Sequence, residues 1–196
     1  GYKKEFQSVS TFIAYGAEPR YSQNPSLIEK WGLQPNSYYL IVGRLIPDNN
    51  SDLILEGFLQ SLSDKKLVIV GDVPFQDAFA KKMKARSQTT DRVIMTGYVN
   101  GAETLAELYH HCYAYLHGHE FGGTNPTMLK AMAYGCAIIA LKTPFNDEML
   151  ADGSFGDFFN KSVDSVNEKI KDFDLHPKKV MDLKNRSRSG ISKKYT

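Results

Sequence analysis

The sequence predicts an α/β fold: a doubly wound parallel sheet with helices on both faces and a C-terminal helical tail. Two observations predict it. Short β-branched or aromatic runs alternate with longer stretches of helical periodicity. The short runs are also nearly continuous in apolar character, as expected for parallel strands covered on both faces. Strand–helix–strand units repeated along a chain join through right-handed crossovers into such a sheet.

Taken in order, the candidate strands are residues 10–15, 38–45, 66–70, 92–96, 112–117 and 136–141. Helical patterns fill the intervals. Residues 52–62 set Leu53, Ile54, Phe58 and Leu62 along one stripe, and residues 75–86 read as a polar amphipathic helix. Residues 101–110 carry Leu105, Leu108 and Tyr109, and residues 126–134 carry Met128, Leu129, Met132 and Ala133. Residues 1–35 read as one strand, a loop rich in Pro, Asn and Ser, and a short helix at 27–31; residues 36–160 form the core. Residues 161–196 read as two helices with no following strand. The second is basic through Lys178, Lys179, Lys184, Arg186, Arg188, Lys193 and Lys194. With no internal repeat, low-complexity stretch or clear linker, the expectation is one domain with a helical tail.

Composition narrows the class. A chain of 196 residues, 42% hydrophobic, is long enough for one good core. A formal net charge of +2 with 23% charged residues argues against a nucleic-acid binder. No apolar run approaches the roughly 20 residues that span a bilayer, and the first residues lack the apolar core of a signal peptide. Cys112 and Cys136 sit in apolar stretches and read as small core residues, for which a reducing cytoplasm is the natural setting. The basic tail reads as a solvated helix face, or as a peripheral contact with anionic headgroups at the inner membrane face, worth roughly 1 kcal/mol per cation.

In an open α/β sheet, ligands bind at the carboxyl ends of strands, and two junctions have suitable residues. After the strand ending at Val42 comes Gly43-Arg44-Leu45-Ile46-Pro47-Asp48-Asn49-Asn50-Ser51. Gly43 lets the chain turn close to a ligand, Arg44 is a fork of donors suited to phosphate oxygens, and Asn50 or Ser51 can cap the next helix. A loop with a solvated arginine is the alternative. The second junction runs from His117 to Gly135. Gly122 and Gly123 make the turn, Asn125 fits the N-cap, Pro126 the first helical position and Gly135 the end of the helix. The amides of Thr127 and Met128, at the positive end of that helix, form an anion site, with a tight structural turn as the alternative. His117, His119 and Glu120 are a weak zinc signal without a third firm ligand, and no metal is expected. Neither a dinucleotide fingerprint nor a P-loop is present.

These segments together resemble the C-terminal, donor-binding domain of glycosyltransferase family 4 (glycosyl transferases group 1), one Rossmann-like half of a GT-B fold. Tyr39-Leu40-Ile41-Val42-Gly43-Arg44-Leu45-Ile46-Pro47 with Asp52 to Phe58 resembles its first core strand and helix; Lys66 to Gly71 and Val93 to Val99 resemble the next two strands; Gly123 to Gly135 resembles the donor loop and helix; and Pro144 to Glu148 resembles the segment after the last core strand. Ser10 to Glu18 resembles the strand that ends the linker from the N-terminal domain. Gly-Gly-Thr-Asn-Pro at 122–126, with Asp-Asn-Asn at 48–50, is most similar to bacterial rhamnosyltransferases of surface-polysaccharide synthesis.

The resemblance implies a metal-independent, retaining transfer from a nucleotide diphosphate sugar to a glycan or lipid-linked acceptor. Arg44 would hold the diphosphate and stabilise charge on the leaving group. Gly43, Gly122, Gly123, Thr124, Asn125 and Thr127 would cradle the donor, and the main chain at Tyr98 and Val99 would meet the base. The acceptor and further catalytic groups would come from an N-terminal acceptor-binding domain, without which this chain alone is expected to be inactive. Three positions depart from the pattern. Asn49 stands where the family usually has a lysine partnering the arginine. Lys130 stands at the second of two paired glutamates, and Gly122 at the first, with Glu120 the nearest carboxylate. Lys130 is a candidate to supply the phosphate charge missing at Asn49. A degenerate, non-catalytic binding or assembly domain and a sugar-nucleotide epimerase on the same fold are the alternatives.

Overall fold

The computed structural model describes residues 15–72 and 78–194. Among them, strands β1 (Tyr38–Val42), β2 (Lys66–Val70), β3 (Val93–Gly97), β4 (Ala114–His117), β5 (Ile138–Leu141) and β6 (Asp157–Phe159) form one sheet in the order β3-β2-β1-β4-β5-β6. Every pairing is parallel. The helices are α1 (Ser51–Ser61), α2 (Ala78–Ser87), α3 (Ala102–His111), α4 (Pro126–Ala133), α5 (Pro144–Met149), α6 (Val163–Leu175) and α7 (Pro177–Lys194). The expected short helix is a 3-10 turn at Pro25–Trp31.

The apolar runs become strands because alternate residues feed two separate cores. Tyr38, Leu40, Val68 and Tyr115 pack on one face with Met128 and Met132 of α4. Tyr39, Ile41, Leu67 and Ile69 pack on the other with Ile54, Leu55 and Phe58 of α1 and Val166, Ile170 and Phe173 of α6. At about 25 cal/mol per Å² of apolar surface, burial on both faces is the main stabilising term. Gly57 permits the close approach of α1 to α6, since a Cβ there would lie 2.5 Å from Val166 Cβ. Cys112 and Cys136 are buried free thiols with sulfurs 3.8 Å apart.

The predicted strand at 10–15 lies outside the described residues except for Tyr15, which is irregular, and residues 75–77 of the predicted second helix also lie outside them. The first core strand stops at Val42 rather than 45. One strand goes beyond the sequence reading: β6 pairs with β5 ahead of the two C-terminal helices, and no strand follows those helices among the described residues. The basic α7 is partly committed to the protein. Lys179 bonds Asp157 and Asp172, Lys184 bonds the Cys112 carbonyl, and Arg188 bonds the Tyr134 carbonyl and covers the Tyr21 ring. No described helix is long and apolar enough to cross a membrane.

Candidate functional site

Strand order reverses between β1 and β4, whose outer neighbours wind away in opposite directions. This is the switch point where doubly wound sheets leave a crevice beyond their strand ends. A cleft of about 210 Å³ opens there, lined by Gly43, Arg44, Asn49 and Ser51 from one side and by His117, Gly118, His119, Asn125, Pro126 and Thr127 from the other. The two candidate junctions thus become two walls of one cleft.

Main-chain contacts set those walls. Gly71, at φ +149°, passes so close to Gly43 that a Cβ would lie 1.8 Å from the Gly43 carbonyl oxygen. Gly118 meets the next loop in the same way, 2.3 Å from its hypothetical Cβ to the Asn49 oxygen. Asn50 Nδ2 donates to the Gly118 carbonyl at 2.8 Å. Asn50 therefore ties loop to loop, and its side chain does not cap α1; nor does that of Ser51, whose Oγ has no partner among the described residues.

The start of α4 follows its sequence. Pro126 occupies the first turn, and Asn125 Oδ1 accepts from the Thr127 amide at 3.0 Å and from Thr127 Oγ1 at 2.7 Å. The Leu129 amide goes to the Asn125 carbonyl. The expectation that Thr127 offers its amide to a ligand is corrected: the cap consumes it. Met128 is fully buried and does not line the cleft, so what α4 presents there is the positive end of the helix at Asn125, Pro126 and Thr127.

Arg44 lines the cleft exposed, with no partner for its guanidinium among the described residues. Asn49 is held at both ends, Nδ2 donating to the Arg44 carbonyl at 2.7 Å and Oδ1 facing His119 Nδ1 at 2.8 Å. Glu120 does not line the cleft. Lys161, from the loop after β6, bonds its carboxylate at 2.6 Å and holds its pKa below the ordinary range. Lys130 is exposed on α4 and does not line the cleft either, so the charge compensation assigned to it is not realised in this geometry. With Glu120 and His119 bound elsewhere, the trio that suggested zinc does not converge.

Tyr98 is 76% exposed and Val99 is buried beyond β3, two strands away from the cleft. Gly122 and Gly123 are exposed and Thr124 half-buried, outside the lining. Gly122 nonetheless sits beside His119, 3.8 Å from its hypothetical Cβ to Nε2.

Four polar side chains of the cleft, those of Ser51, Tyr115, His117 and His119, carry no donor-binding role in the sequence reading. His117 is 3% exposed and its Nε2 lacks a partner among the described residues. Burial, with His119 alongside, pushes its pKa down to about 3, so the ring is neutral. The available signal was the alternation of Tyr115 and His117 on β4, which turns both side chains the same way.

The sequence model of the glycosyl transferases group 1 family matches residues 24–190. The chain belongs to this family. No curated protein sequence matches it. Among solved structures, this glycosyl transferase group 1 chain is similar to Anabaena HepE in complex with UDP (TM-score 0.78, 17% identity, 89% of this chain and 50% of that one). Sucrose-phosphate synthase from Thermosynechococcus elongatus is similar too (0.82, 15%, 100% and 51%). So is the C-terminal domain of a group 1 glycosyl transferase, LpcC, from Francisella tularensis (0.74, 19%, 93% and 95%). At these identities the likeness shows the fold, and the chain spans about half the length of HepE and of the synthase.

Proposed function

We propose that this chain is the donor-binding half of a retaining glycosyltransferase, moving a sugar from a nucleoside diphosphate to a glycan or lipid-linked acceptor without a metal. One observation carries the reading: the unpartnered guanidinium of Arg44 and the start of α4 line the same cleft at the sheet's switch point. A guanidinium fork and a helix N-terminus are complementary to the same ligand, a diphosphate. As the bond to the sugar breaks, negative charge grows on the departing diphosphate, and a cation already in place stabilises it without reorganisation. The HepE structure in complex with UDP supports the choice of nucleotide.

The size of the cleft supports a half-site. About 210 Å³ falls below the ~300–1,000 Å³ of pockets that enclose a small ligand. The sugar and acceptor would complete their surroundings against an N-terminal domain facing it, with the work done in the cytoplasm where a lipid-linked acceptor meets the inner membrane face. The Gly-Gly-Thr-Asn-Pro turn supports rhamnose as the transferred sugar by resemblance alone.

Calorimetry with UDP, GDP and dTDP tests the reading. One of them is expected to bind, and Arg44→Ala to weaken that binding about 10- to 100-fold, the effect of losing a charged hydrogen-bond donor. Silence across the three, or full affinity in Arg44→Ala, refutes it. The same titration with dTDP-rhamnose against UDP-glucose decides the sugar.

A further inference from the structure

Beside its cationic wall the cleft carries a hydrogen-bond acceptor of fixed polarity. Asn125 Oδ1 faces the Thr127 backbone N–H at 3.0 Å, so that atom is the amide oxygen and accepts. Thr127 Oγ1, 2.7 Å from the same oxygen, must spend its one proton there. Toward Tyr115, whose hydroxyl lies 3.1 Å away, Thr127 can then only accept. This contact is shorter than those of the Tyr115 hydroxyl to His117 Nδ1, 3.3 Å, and to the Val42 carbonyl, 3.4 Å. With the tyrosine proton committed to Thr127, the hydrogen between Tyr115 and His117 belongs to Nδ1. The imidazole is therefore the Nδ1–H tautomer, and Nε2 keeps a bare lone pair.

That nitrogen has no partner among the described residues, on a ring 3% exposed that lines the cleft. Ser51 Oγ is in the same situation on the opposite wall, in a residue 1% exposed. A lone pair cannot serve an ionised phosphate oxygen, which has only lone pairs of its own. A hydroxyl has both a proton to donate to the His117 nitrogen and lone pairs to accept from a hydroxyl such as that of Ser51. Leaving such buried groups unmet is costly, which makes them strong discriminators between ligands with and without the matching group.

We propose that His117 is a specificity-determining residue that accepts a hydrogen bond from a hydroxyl of the nucleotide sugar, its tautomer fixed by the relay through Tyr115, Thr127 and Asn125. The assignment rests on the donor-site reading above and adds the group that reads a hydroxyl of the ligand. The relay ends on the cap of α4, so the phosphate-facing helix start and the hydroxyl-reading nitrogen are one hydrogen-bonded unit.

Calorimetry with UDP, dTDP, UDP-glucose and dTDP-rhamnose on the wild type, His117→Phe and His117→Gln tests it. If the hydroxyl belongs to the transferred sugar, His117→Phe loses about 10-fold toward a sugar nucleotide while holding its bare diphosphate within about 2-fold. If it belongs to the ribose, UDP and UDP-glucose weaken by the same factor. His117→Gln, whose amide oxygen restores an acceptor, recovers part of either loss. Equal affinity of all three proteins for every probe overturns the proposal, whereas silence of the wild type overturns the donor-site reading instead. Nitrogen-15 NMR of the wild-type imidazole gives a readout independent of how the variants fold. A proton on Nδ1, with the Nε2 resonance moving when the sugar nucleotide is added, is the expected result; a proton on Nε2 overturns the assignment.

Discussion

Asn49 and His119 are joined across the cleft by a hydrogen bond of 2.8 Å between Oδ1 and Nδ1. Because Asn49 Nδ2 donates to the Arg44 carbonyl at 2.7 Å, the amide orientation is set and His119 must be the donor. One side chain thus connects the loop that carries the cleft's cation to the loop that leads toward α4. A lysine at this position, as the family pattern expects, could not accept from His119. The charge missing here is exchanged for a cross-brace.

Removing that brace is expected to act on stability and binding together. Asn49→Ala loses both hydrogen bonds, and we expect unfolding free energy to fall by about 1–3 kcal/mol. Affinity for UDP, or for whichever diphosphate binds, should fall by only about 3- to 10-fold, because Arg44 remains but is held less firmly. Urea titration and calorimetry on the same preparation check both values. Unchanged stability would show that the two loops are held by their main-chain contacts alone.

The glycines of the two loops separate packing from ligand access. At Gly118 a Cβ would lie 2.3 Å from the Asn49 carbonyl oxygen and 3.0 Å from Ile54 Cδ1. Gly118→Ala must push the Asn49 turn away from β4, and a cost of about 1–3 kcal/mol is expected, as for overpacking elsewhere. At Gly123 nothing lies within 4 Å of the same hypothetical atom. Gly123→Ala should leave the thermal midpoint within about 1 °C. A loss of diphosphate affinity in this variant alone would mean that the ligand passes close to its main chain.

The core strands could be read from sequence because burial on both faces leaves apolar runs such as Tyr38 to Val42. β6 could not. It is three residues long and begins with Asp157, whose charge is met by Lys169 and Lys179 from helices that come later in the chain. No local pattern carries such a pairing. The same holds in the cleft. Gly43, Arg44, Asn125 and Pro126 are punctuation at strand and helix ends and show themselves locally. The direction taken by Glu120 depends on Lys161, 41 residues away. The tautomer of His117 depends on a chain of bonds running through Tyr115 and Thr127 to Asn125.

Asp157 supplies an acid-sensitive joint between the sheet edge and the C-terminal helices. Its burial opposes ionisation, but hydrogen bonds from Lys169, Lys179 and the Phe158 amide outweigh that and lower its pKa. A carboxylate depressed in the folded state contributes stability above its unfolded pKa of about 3.9, and the contribution is lost as pH falls through the lower folded value. Asp157→Asn is therefore expected to cost about 1–3 kcal/mol at pH 7, with the gap to wild type closing below about pH 4. A gap independent of pH in urea titrations would assign the cost to packing.

His117 gives a second pH dependence, at higher pH. Burial takes its pKa from the ordinary imidazole value down to about 3. A proton that binds near pH 6.5 in the unfolded chain is thus refused by the folded one. The unfolded state binds more protons throughout that interval, so stability must fall as the solution is acidified through it. A single group shifted this far contributes a loss of about 2 kcal/mol between pH 7 and pH 5. Carboxylates with lowered pKa values do not titrate in that range, which leaves the histidines. His110, whose pKa burial also lowers, adds to the slope. Replacing His117 by Gln should remove its share and keep that of His110, so chemical denaturation at the two pH values should show a smaller but finite decline in the variant. If wild type and His117→Gln lose the same stability between pH 7 and pH 5, the buried imidazole is already protonated in the folded state. It would then present a cation to the cleft rather than the lone pair that a sugar hydroxyl requires.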